Sequence, residues 1–234
     1  MAQSPQRILA VDDDSDVQRL VRLTLEPEGF EIATAGSGQE ALAWIEKNGL
    51  PHMAVIDILM PGMDGLALAR EIQSRCDLPI VLLTAVDDQK TVIQAIEELA
   101  EDYVTKPFHP LELAARVKRV MRRVGDFSFA LAPLTVIDER LAIDFFHQEV
   151  RVESRAVALT PIETKLLHIL IRSARRTVTN DYLLRRIWPN DEVFEDTLRV
   201  HVHRLRKKIE PDATQPAYLI TQRGIGYSFL PAAG

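Results

Sequence analysis

Five short apolar runs alternate with amphipathic stretches in the first half of the chain, and this alternation restricts the fold more than any other feature. The runs begin near Ile8, Phe30, Met53, Pro79 and Tyr103, and each is followed by a stretch with helical spacing. Apolar strands that alternate with helices form parallel sheets covered by helices on both faces. We therefore expect a doubly wound α/β domain whose ligand site lies beyond the carboxyl ends of the strands.

Polar side chains stand at the carboxyl ends of four of these runs. They are Asp12, Asp13 and Asp14 after the first run, Asp57 after the third, Thr84 after the fourth and Lys106 after the fifth. A single aspartate there is commonly a helix cap or turn former, but carboxylates that converge on one edge repel one another unless a cation lies between them. Hard oxygen ligands at a partly open site suit Mg²⁺, and a lysine with a hydroxyl would hold a phosphoryl group. The pattern predicts a site for both.

Four segments of this half together resemble the receiver domain of two-component response regulators, with a flavodoxin-like (βα)5 fold, over about residues 6–124. They are Val11–Asp14, Asp57–Gly65, Leu83–Ala85 and Tyr103–Phe108. The resemblance implies that Asp57 is the phosphoacceptor, attacking a phosphohistidine on a sensor histidine kinase. It implies a Mg²⁺ site in which Asp13 and Asp57 ligate directly, Asp12 through water, and Leu59 through its backbone carbonyl. It also implies a phosphoryl-binding and switch set of Thr84, Tyr103 and Lys106.

The same resemblance places a dimer surface on the fourth helix, fifth strand and fifth helix of this domain. The residues that match the charges of that surface are Glu101, Asp102, Glu112, Arg116 and Arg123. Asp102 with Arg116, and Glu101 with Arg123, look like pairs between subunits. The third family pair needs a basic residue where this chain has Val92, which would leave Glu112 without that partner. Solvated helix charges are the alternative, because exposed ion pairs contribute only about 0–1 kcal/mol each.

Charge is distributed unevenly along the chain. The net charge of the 234 residues is −6, from 28 basic and 34 acidic residues, and this value alone argues against nucleic acid as a partner. Residues 1–124 hold 20 acidic and 13 basic residues, whereas residues 125–234 hold 14 and 15. The imbalance indicates two domains with different partners. We place them at 1–124 and 131–234, joined by a linker at 125–130.

A basic helix is predicted in the second domain at residues 195–210. Its apolar positions share one face: Leu198, Val202, Leu205 and Ile209. Residues 197–208 hold five Lys and Arg side chains and no acidic one. Such a face is often simply exposed to solvent. The apolar Val200 in its middle, however, would match a thymine methyl group in a DNA major groove.

From about residue 130 to 232 the chain resembles the winged-helix effector domain of OmpR/PhoB-type transcription factors. The matching segments are Leu159–Glu163, Leu183–Leu184 with Ile187–Trp188, Val200–Ile209 and Thr221–Tyr227. The resemblance implies an α+β winged helix-turn-helix fold with helix 195–210 as the recognition helix.

The DNA contacts implied by this resemblance fall into three groups. The residues that would face the major groove are Val200, His203, Arg204 and Lys207, and those toward its phosphate rims are Arg199 and Arg206. Arg223 would enter or flank the adjacent minor groove. Thr197 and Thr221 would reach phosphates. Asp196 and Arg199 depart from the family pattern, which often has a basic and an acidic residue there, so the operator sequence is left open. The loop Pro189–Phe194 resembles the segment that contacts RNA polymerase; a plain connector is the alternative.

Together these features predict a two-component response regulator that is phosphorylated on Asp57 with Mg²⁺, forms a homodimer, and binds tandem or repeated sites in double-stranded DNA to regulate transcription. It is expected not to be an enzyme. A Mg²⁺-dependent phosphatase is one alternative, which leaves the basic helix without a purpose. The other alternative is a regulator that binds DNA without phosphorylation. The complete set of acidic and switch residues argues against this alternative.

The remaining composition bears on localisation. Cys76 is the only cysteine, so no disulfide within the chain is possible. No apolar run approaches about 18 residues, and the first residues lack the apolar core of a signal peptide. These observations predict a cytoplasmic protein with no membrane contact.

Overall fold

The computed structural model describes residues 6–85, 99–124, 133–189 and 191–231. The chain divides into two compact units, the first made mainly of the elements up to residue 124 and the second mainly of those from residue 133 onward. The predicted linker at 125–130 and nearly all of the predicted fourth helix, at 88–99, lie outside the described residues. No helix among the described residues is long and apolar enough to span a membrane.

The first unit is a five-stranded parallel sheet with helices between its strands. The strands are β1 (Gln6–Val11), β2 (Phe30–Ala35), β3 (Met53–Asp57), β4 (Ile80–Ala85) and β5 (Asp102–Lys106). The described helices are α1 (Ser15–Leu25), α2 (Gly38–Asn48), α3 (Gly65–Arg75) and α4 (Pro110–Val124), with a 3-10 turn at Glu26–Glu28. The strand order is β2-β1-β3-β4-β5, and all neighbours are parallel, which confirms the predicted doubly wound fold.

The central strands explain both the apolar runs and the position of the site. Every residue of β3 is buried, as are the last four of β1, because a parallel sheet of this kind is covered on both faces. The strand order switches direction between β1 and β3, so a crevice opens at their carboxyl ends. Asp12 and Asp57 stand at those ends.

A buried histidine lies at the opposite end of the central strands. His52 directly precedes β3, is 6% exposed, and accepts a hydrogen bond at Nδ1 from the backbone N–H of Arg7 at 2.8 Å. Burial, together with the nearby charge of Arg7, lowers the pKa of His52 from 6.5 to about 4. Between about pH 4 and pH 6.5 the folded chain therefore keeps this ring neutral, whereas the unfolded chain protonates it.

We expect His52→Asn to weaken the acid sensitivity of the protein. Protons bind His52 in the unfolded chain below pH 6.5 but in the folded chain only near pH 4, so the stability that this residue contributes is complete above pH 6.5 and lost as pH falls toward 4. Asparagine keeps an acceptor for the Arg7 N–H and does not titrate. Urea unfolding at about pH 7.5 and pH 5 should show a loss of unfolding free energy smaller by about 2 kcal/mol in the variant. Equal losses in both proteins would contradict this assignment.

The described residues of the second unit form two antiparallel sheets and three helices. One sheet contains β6 (Thr135–Val136), β7 (Leu141–Asp144), β8 (Glu149–Val152) and β9 (Arg155–Ala158), in that order. The other, in the order β10-β12-β11, contains β10 (Thr177–Thr179), β11 (Leu219–Gln222) and β12 (Gly226–Phe229). The helices are α5 (Pro161–Arg172), α6 (Asn180–Ile187) and α7 (Glu195–Ile209). This is the predicted α+β winged-helix fold.

Local signals set the helix starts in this unit. Thr160 and Glu163 form a reciprocal capping box at the start of α5, where Pro161 is the first helical residue. Thr179 caps α6 by accepting a hydrogen bond from the backbone N–H of Tyr182. Strand β10 was not predicted, because three residues between a turn and a helix cap carry too short a pattern.

Candidate functional site: an acidic pocket and a basic helix

Three carboxylates and a lysine meet at the carboxyl ends of β1, β3 and β5. Asp12 directly follows β1, Asp57 ends β3 and Lys106 ends β5. Carboxylate oxygens of Asp12, Asp13 and Asp57 lie within 4.8 Å of one another. Asp12 and Asp57 are buried, whereas Asp13 is exposed. The structure thus joins side chains that are far apart in sequence into one acidic pocket, defined here by these four residues.

Lys106 is held between the two buried carboxylates. Its Nζ atom lies 2.7 Å from Oδ2 of Asp12 and 3.0 Å from Oδ1 of Asp57. Burial raises the pKa of Asp57 above its usual value and the charge of Asp12 adds to the rise, while Lys106 and the backbone N–H of Leu59 oppose it. Burial alone would lower the pKa of Lys106, but both carboxylates outweigh burial and raise it. The two carboxylates therefore favour the charged form of Lys106.

The predicted switch residues lie on the two strands beside the pocket. Thr84 is buried in β4, and its Oγ1 donates to the backbone carbonyl of Ala85 at 3.2 Å. The Tyr103 side chain, on β5, is 47% exposed. The threonine hydroxyl is thus bonded to its own strand, and the tyrosine ring is in contact with solvent.

The start of α1 supports the pocket through two side chains. Asp14 caps the helix by accepting a hydrogen bond from the backbone N–H of Asp16 at 2.8 Å, so it does not belong to the acidic pocket. Gln18 donates from Nε2 to the carbonyl of Asp12 at 2.6 Å and to that of Ala35 at 3.2 Å. Sequence reasoning missed Gln18, because no spacing rule links a helical glutamine to a strand end.

Gly65 fixes the backbone that follows Asp57. Its N–H donates to the carbonyl of Ile58 at 2.9 Å, and a Cβ atom at this position would lie 2.0 Å from the carbonyl oxygen of Asp57. Only glycine permits this approach of α3 to the end of β3. Gly65 lies in the segment Asp57–Gly65 that resembles the receiver family, but no role was predicted for it; its place at the end of that segment is the signal that could have identified it.

The donor set of the acidic pocket suits a hard divalent cation. Among the described residues, the pocket holds three carboxylates and one ammonium group, so negative charge is in excess. Asp13 is exposed, which leaves the pocket partly open. Oxygen donors with an open side fit Mg²⁺, which keeps several of its water molecules. The residues present therefore fit the predicted metal.

Residues of the predicted dimer surface form ion pairs within one chain. Nη1 of Arg116 lies 3.0 Å from Oδ1 of Asp102, and Nη2 of Arg116 lies 2.7 Å from Oε1 of Glu112. Arg119 also pairs with Asp102. Asp102 and Arg116, expected as partners between subunits, are here partners within the chain. The side chain of Arg123 and the position of Val92 lie outside the described residues.

Helix α7 in the second unit has the two faces that its sequence predicted. Its buried residues are Leu198, Val202, Leu205 and Ile209. Among the predicted DNA-contact residues on this helix, Thr197, Arg199, Val200, His203, Arg204 and Lys207 are exposed. Val200 is 47% exposed, so its methyl groups are accessible on the basic face of the helix.

Arg206 of α7 and Glu210 directly after α7 are hydrogen-bonded to β11 and to the residues before it. Arg206 donates to the carbonyl of Leu219 and to Oγ1 of Thr221, at 2.6 Å and 2.8 Å from Nη2. The carboxylate of Glu210, directly after α7, accepts hydrogen bonds from the backbone N–H groups of three successive residues, Ala217–Leu219. From the family resemblance Arg206 was expected at a phosphate, and no role was predicted for Glu210. Their bonds fix the β11–β12 hairpin, whose tip carries the exposed Arg223, against the helix.

Two family descriptions match separate parts of the chain. Residues 8–118 match the response regulator receiver domain, and residues 154–229 match the C-terminal domain of transcriptional regulatory proteins. The first range contains the acidic pocket and the second contains α7 with the hairpin.

Relatives match along nearly the whole chain. The DNA-binding response regulator MtrA of Mycobacterium leprae is 37% identical over 227 residues, covering 97% of this chain and 99% of its own length. A probable transcriptional regulator, ycf27 of Galdieria sulphuraria, is 35% identical over 230 residues, covering 96% of this chain and 90% of its own. Among solved structures, DrrB of Thermotoga maritima, an OmpR/PhoB homolog, is 30% identical and covers 97% of this chain and 100% of its own, with a TM-score of 0.46.

Proposed function

Because this chain belongs to the OmpR/PhoB-type two-component response regulators, we propose that it accepts a phosphoryl group on Asp57 and then binds promoter DNA through α7 and the β11–β12 hairpin. The observation that carries the proposal is the placement of Asp57 at a strand end beside Asp12, Asp13 and Lys106. A receiver domain and a DNA-binding domain in one chain make it a regulator of transcription.

In the proposed reaction the Asp57 carboxylate is the nucleophile. One of its oxygens attacks the phosphorus atom of a phosphohistidine on a sensor histidine kinase, an O–P bond forms, and the P–N bond breaks. The histidine nitrogen keeps the electron pair and takes up a proton. The protein contributes position and charge, since little other covalent work is needed in phosphoryl transfer.

Asp12, Asp13, Asp57 and the backbone carbonyl of Leu59 would hold Mg²⁺, which when bound neutralises negative charge on the phosphoryl oxygens. Lys106 is the second source of positive charge. Its ammonium group already lies 3.0 Å from an Asp57 oxygen, so it can move onto a phosphoryl oxygen with little displacement. These residues together reduce the repulsion between the attacking carboxylate and an anionic donor.

Thr84 and Tyr103 would convert phosphorylation into a change of surface. The Thr84 hydroxyl, now bonded to the Ala85 carbonyl, would donate to a phosphoryl oxygen instead. Its movement would free space into which the exposed Tyr103 ring turns. This rearrangement alters the surface beside β5, where Asp102 and Arg116 lie.

We place the dimer of the phosphorylated protein on that surface, formed by Glu101, Asp102, Glu112, Arg116 and Arg123. The Asp102–Arg116 pair within the chain would exchange for the same pair between two chains. A dimer presents two DNA-binding domains at once and raises their effective concentration at tandem or repeated sites. The protein would then act in the cytoplasm, where its kinase and DNA are accessible.

We place a contact with RNA polymerase at the loop between α6 and α7. A pocket of about 470 Å³ lies beside the loop that precedes α7, lined by Trp188, Pro189 and Phe194 and by acidic residues that include Asp191 and Glu192. Phe194 is 77% exposed. We place the RNA polymerase contact at this loop, because the pocket and the Phe194 ring together offer an apolar surface with acidic residues at its edge.

Lys207→Ala tests the role of α7. We expect weaker DNA binding and a smaller salt slope, because an interface with one positive charge fewer releases fewer counterions from the DNA. The measurement is the dissociation constant of a duplex fragment at several salt concentrations. Lys47→Ala, an exposed lysine on α2, is the matched control and should behave as wild type. An unchanged slope for Lys207→Ala would exclude this residue from the DNA interface.

A further inference from the structure

Three charged side chains form a compact cluster at the start of α7. Arg199 donates from Nη1 to Oδ1 of Asp196 at 2.9 Å and from Nη2 to Oε2 of Glu195 at 3.2 Å. All three side chains are largely exposed, at 63%, 88% and 51% for Arg199, Asp196 and Glu195. The arginine is therefore oriented by two carboxylates but is not buried by them.

The cluster lies at one end of the face proposed to enter DNA. Asp196, Val200, His203 and Lys207 follow one another at helical spacing, opposite the buried stripe of α7. Arg199 adjoins this row. Recognition helices contact base edges mainly with their N-terminal residues, so the cluster occupies the part of the helix that is nearest to the bases.

The charge of the cluster disfavours a phosphate contact. Two carboxylates and one guanidinium leave a net charge of −1, and the carboxylates already interact with the positive end of the helix dipole. A phosphate that approached Arg199 would meet both carboxylates. A base edge is uncharged and offers acceptors without this repulsion.

We propose that Arg199 recognises a guanine in the major groove, oriented by Asp196 and Glu195, rather than a phosphate at the groove rim. A guanidinium has five N–H donors, and the two hydrogen bonds to the carboxylates leave others to donate to O6 and N7 of guanine, the acceptor pair that arginine matches best. This inference rests on the proposed DNA-binding function.

Asp196 has a second effect in this arrangement. Its exposed carboxylate repels the backbone of every DNA sequence, and only a site with guanine at the matching position compensates through Arg199. Such a repulsive element raises specificity by weakening the wrong complexes. Asp196 is thus a positioning and specificity residue.

The test is selection of bound duplexes from a randomised DNA library by the phosphorylated full chain. The selected sequence should contain a G·C pair for which Arg199→Ala loses preference by about tenfold or more, while preferences at other positions and the salt slope stay as in wild type. Arg199→Lys keeps the charge but lacks the planar fork, so it should also lose the preference. Asp196→Asn should bind non-selected DNA more tightly and discriminate less.

The opposite pattern overturns the inference. If Arg199→Ala weakens binding to all sequences alike, lowers the salt slope by about 1 and leaves every base preference intact, Arg199 contacts a phosphate. That result leaves the proposed function standing. If the wild-type protein selects no sequence at all, the proposed function itself fails.

Discussion

Asp57→Asn is expected to abolish phosphorylation. Incubation of the wild-type protein with acetyl phosphate and Mg²⁺ should add the mass of one phosphoryl group, whereas the variant should stay at its original mass. An amide is a far weaker nucleophile than a carboxylate and removes one of the charges that would hold the metal. The change is small in volume, so the fold should be retained.

Asp64→Asn is the matched control for this experiment. Asp64 is exposed and caps α3 by accepting a hydrogen bond from the backbone N–H of Ala67 at 2.7 Å, a role that asparagine also performs. This variant should gain the phosphoryl group as wild type does. Phosphoryl incorporation into Asp57→Asn to the wild-type level would show that another residue is the acceptor. Turnover of small phosphate esters by wild type would instead favour the phosphatase alternative.

Gly65→Ala is expected to lower the free energy of unfolding strongly, because Gly65 lies against the backbone of the acidic pocket. The new Cβ would lie 2.0 Å from the carbonyl oxygen of Asp57 and 2.9 Å from Cα of Ile58. Both contacts are with backbone, which cannot rotate away, so α3 or the end of β3 must shift. We expect the unfolding free energy to fall by about 3 kcal/mol or more, measured by urea denaturation.

The same substitution should also slow phosphorylation, because the backbone that must move carries Asp57. Gly36→Ala is the control: the nearest atom to its Cβ, at 3.3 Å, is the carboxylate end of Glu40, which is flexible. That variant should cost less than about 1 kcal/mol. If the two variants lose equal stability, close approach at Gly65 does not constrain the pocket.

Much of the fold was predictable because local patterns determine it. The strands β1 and β3 are apolar runs since both their faces are covered, and the capping box at Thr160 places the start of α5. The convergence of Asp12, Asp57 and Lys106 was predictable for a topological reason, since parallel strands bring their carboxyl ends to one edge.

The remaining features depend on tertiary contacts that no local pattern encodes. Gln18 contacts the carbonyl of Asp12 only because β1 and α1 pack together, and Arg206 contacts Leu219 only because β11 lies beside α7. Asp102 and Arg116 were expected as partners between two chains, but within one chain they already lie 3.0 Å apart. Sequence identifies the charges on these surfaces, and the packing decides with which group each one pairs.

Phosphorylation-controlled DNA binding is tested most directly by sequencing the genomic DNA fragments that the wild-type protein binds before and after treatment with acetyl phosphate and Mg²⁺. The DNA bound by the Asp57→Asn variant is sequenced after the same treatment. We expect the phosphorylated wild type to enrich a small set of fragments with tandem or repeated sites, about tenfold or more above the other two samples, because dimerisation couples two DNA-binding domains. Equal enrichment of the same fragments in all three samples would contradict it and would identify a regulator that binds DNA without phosphorylation.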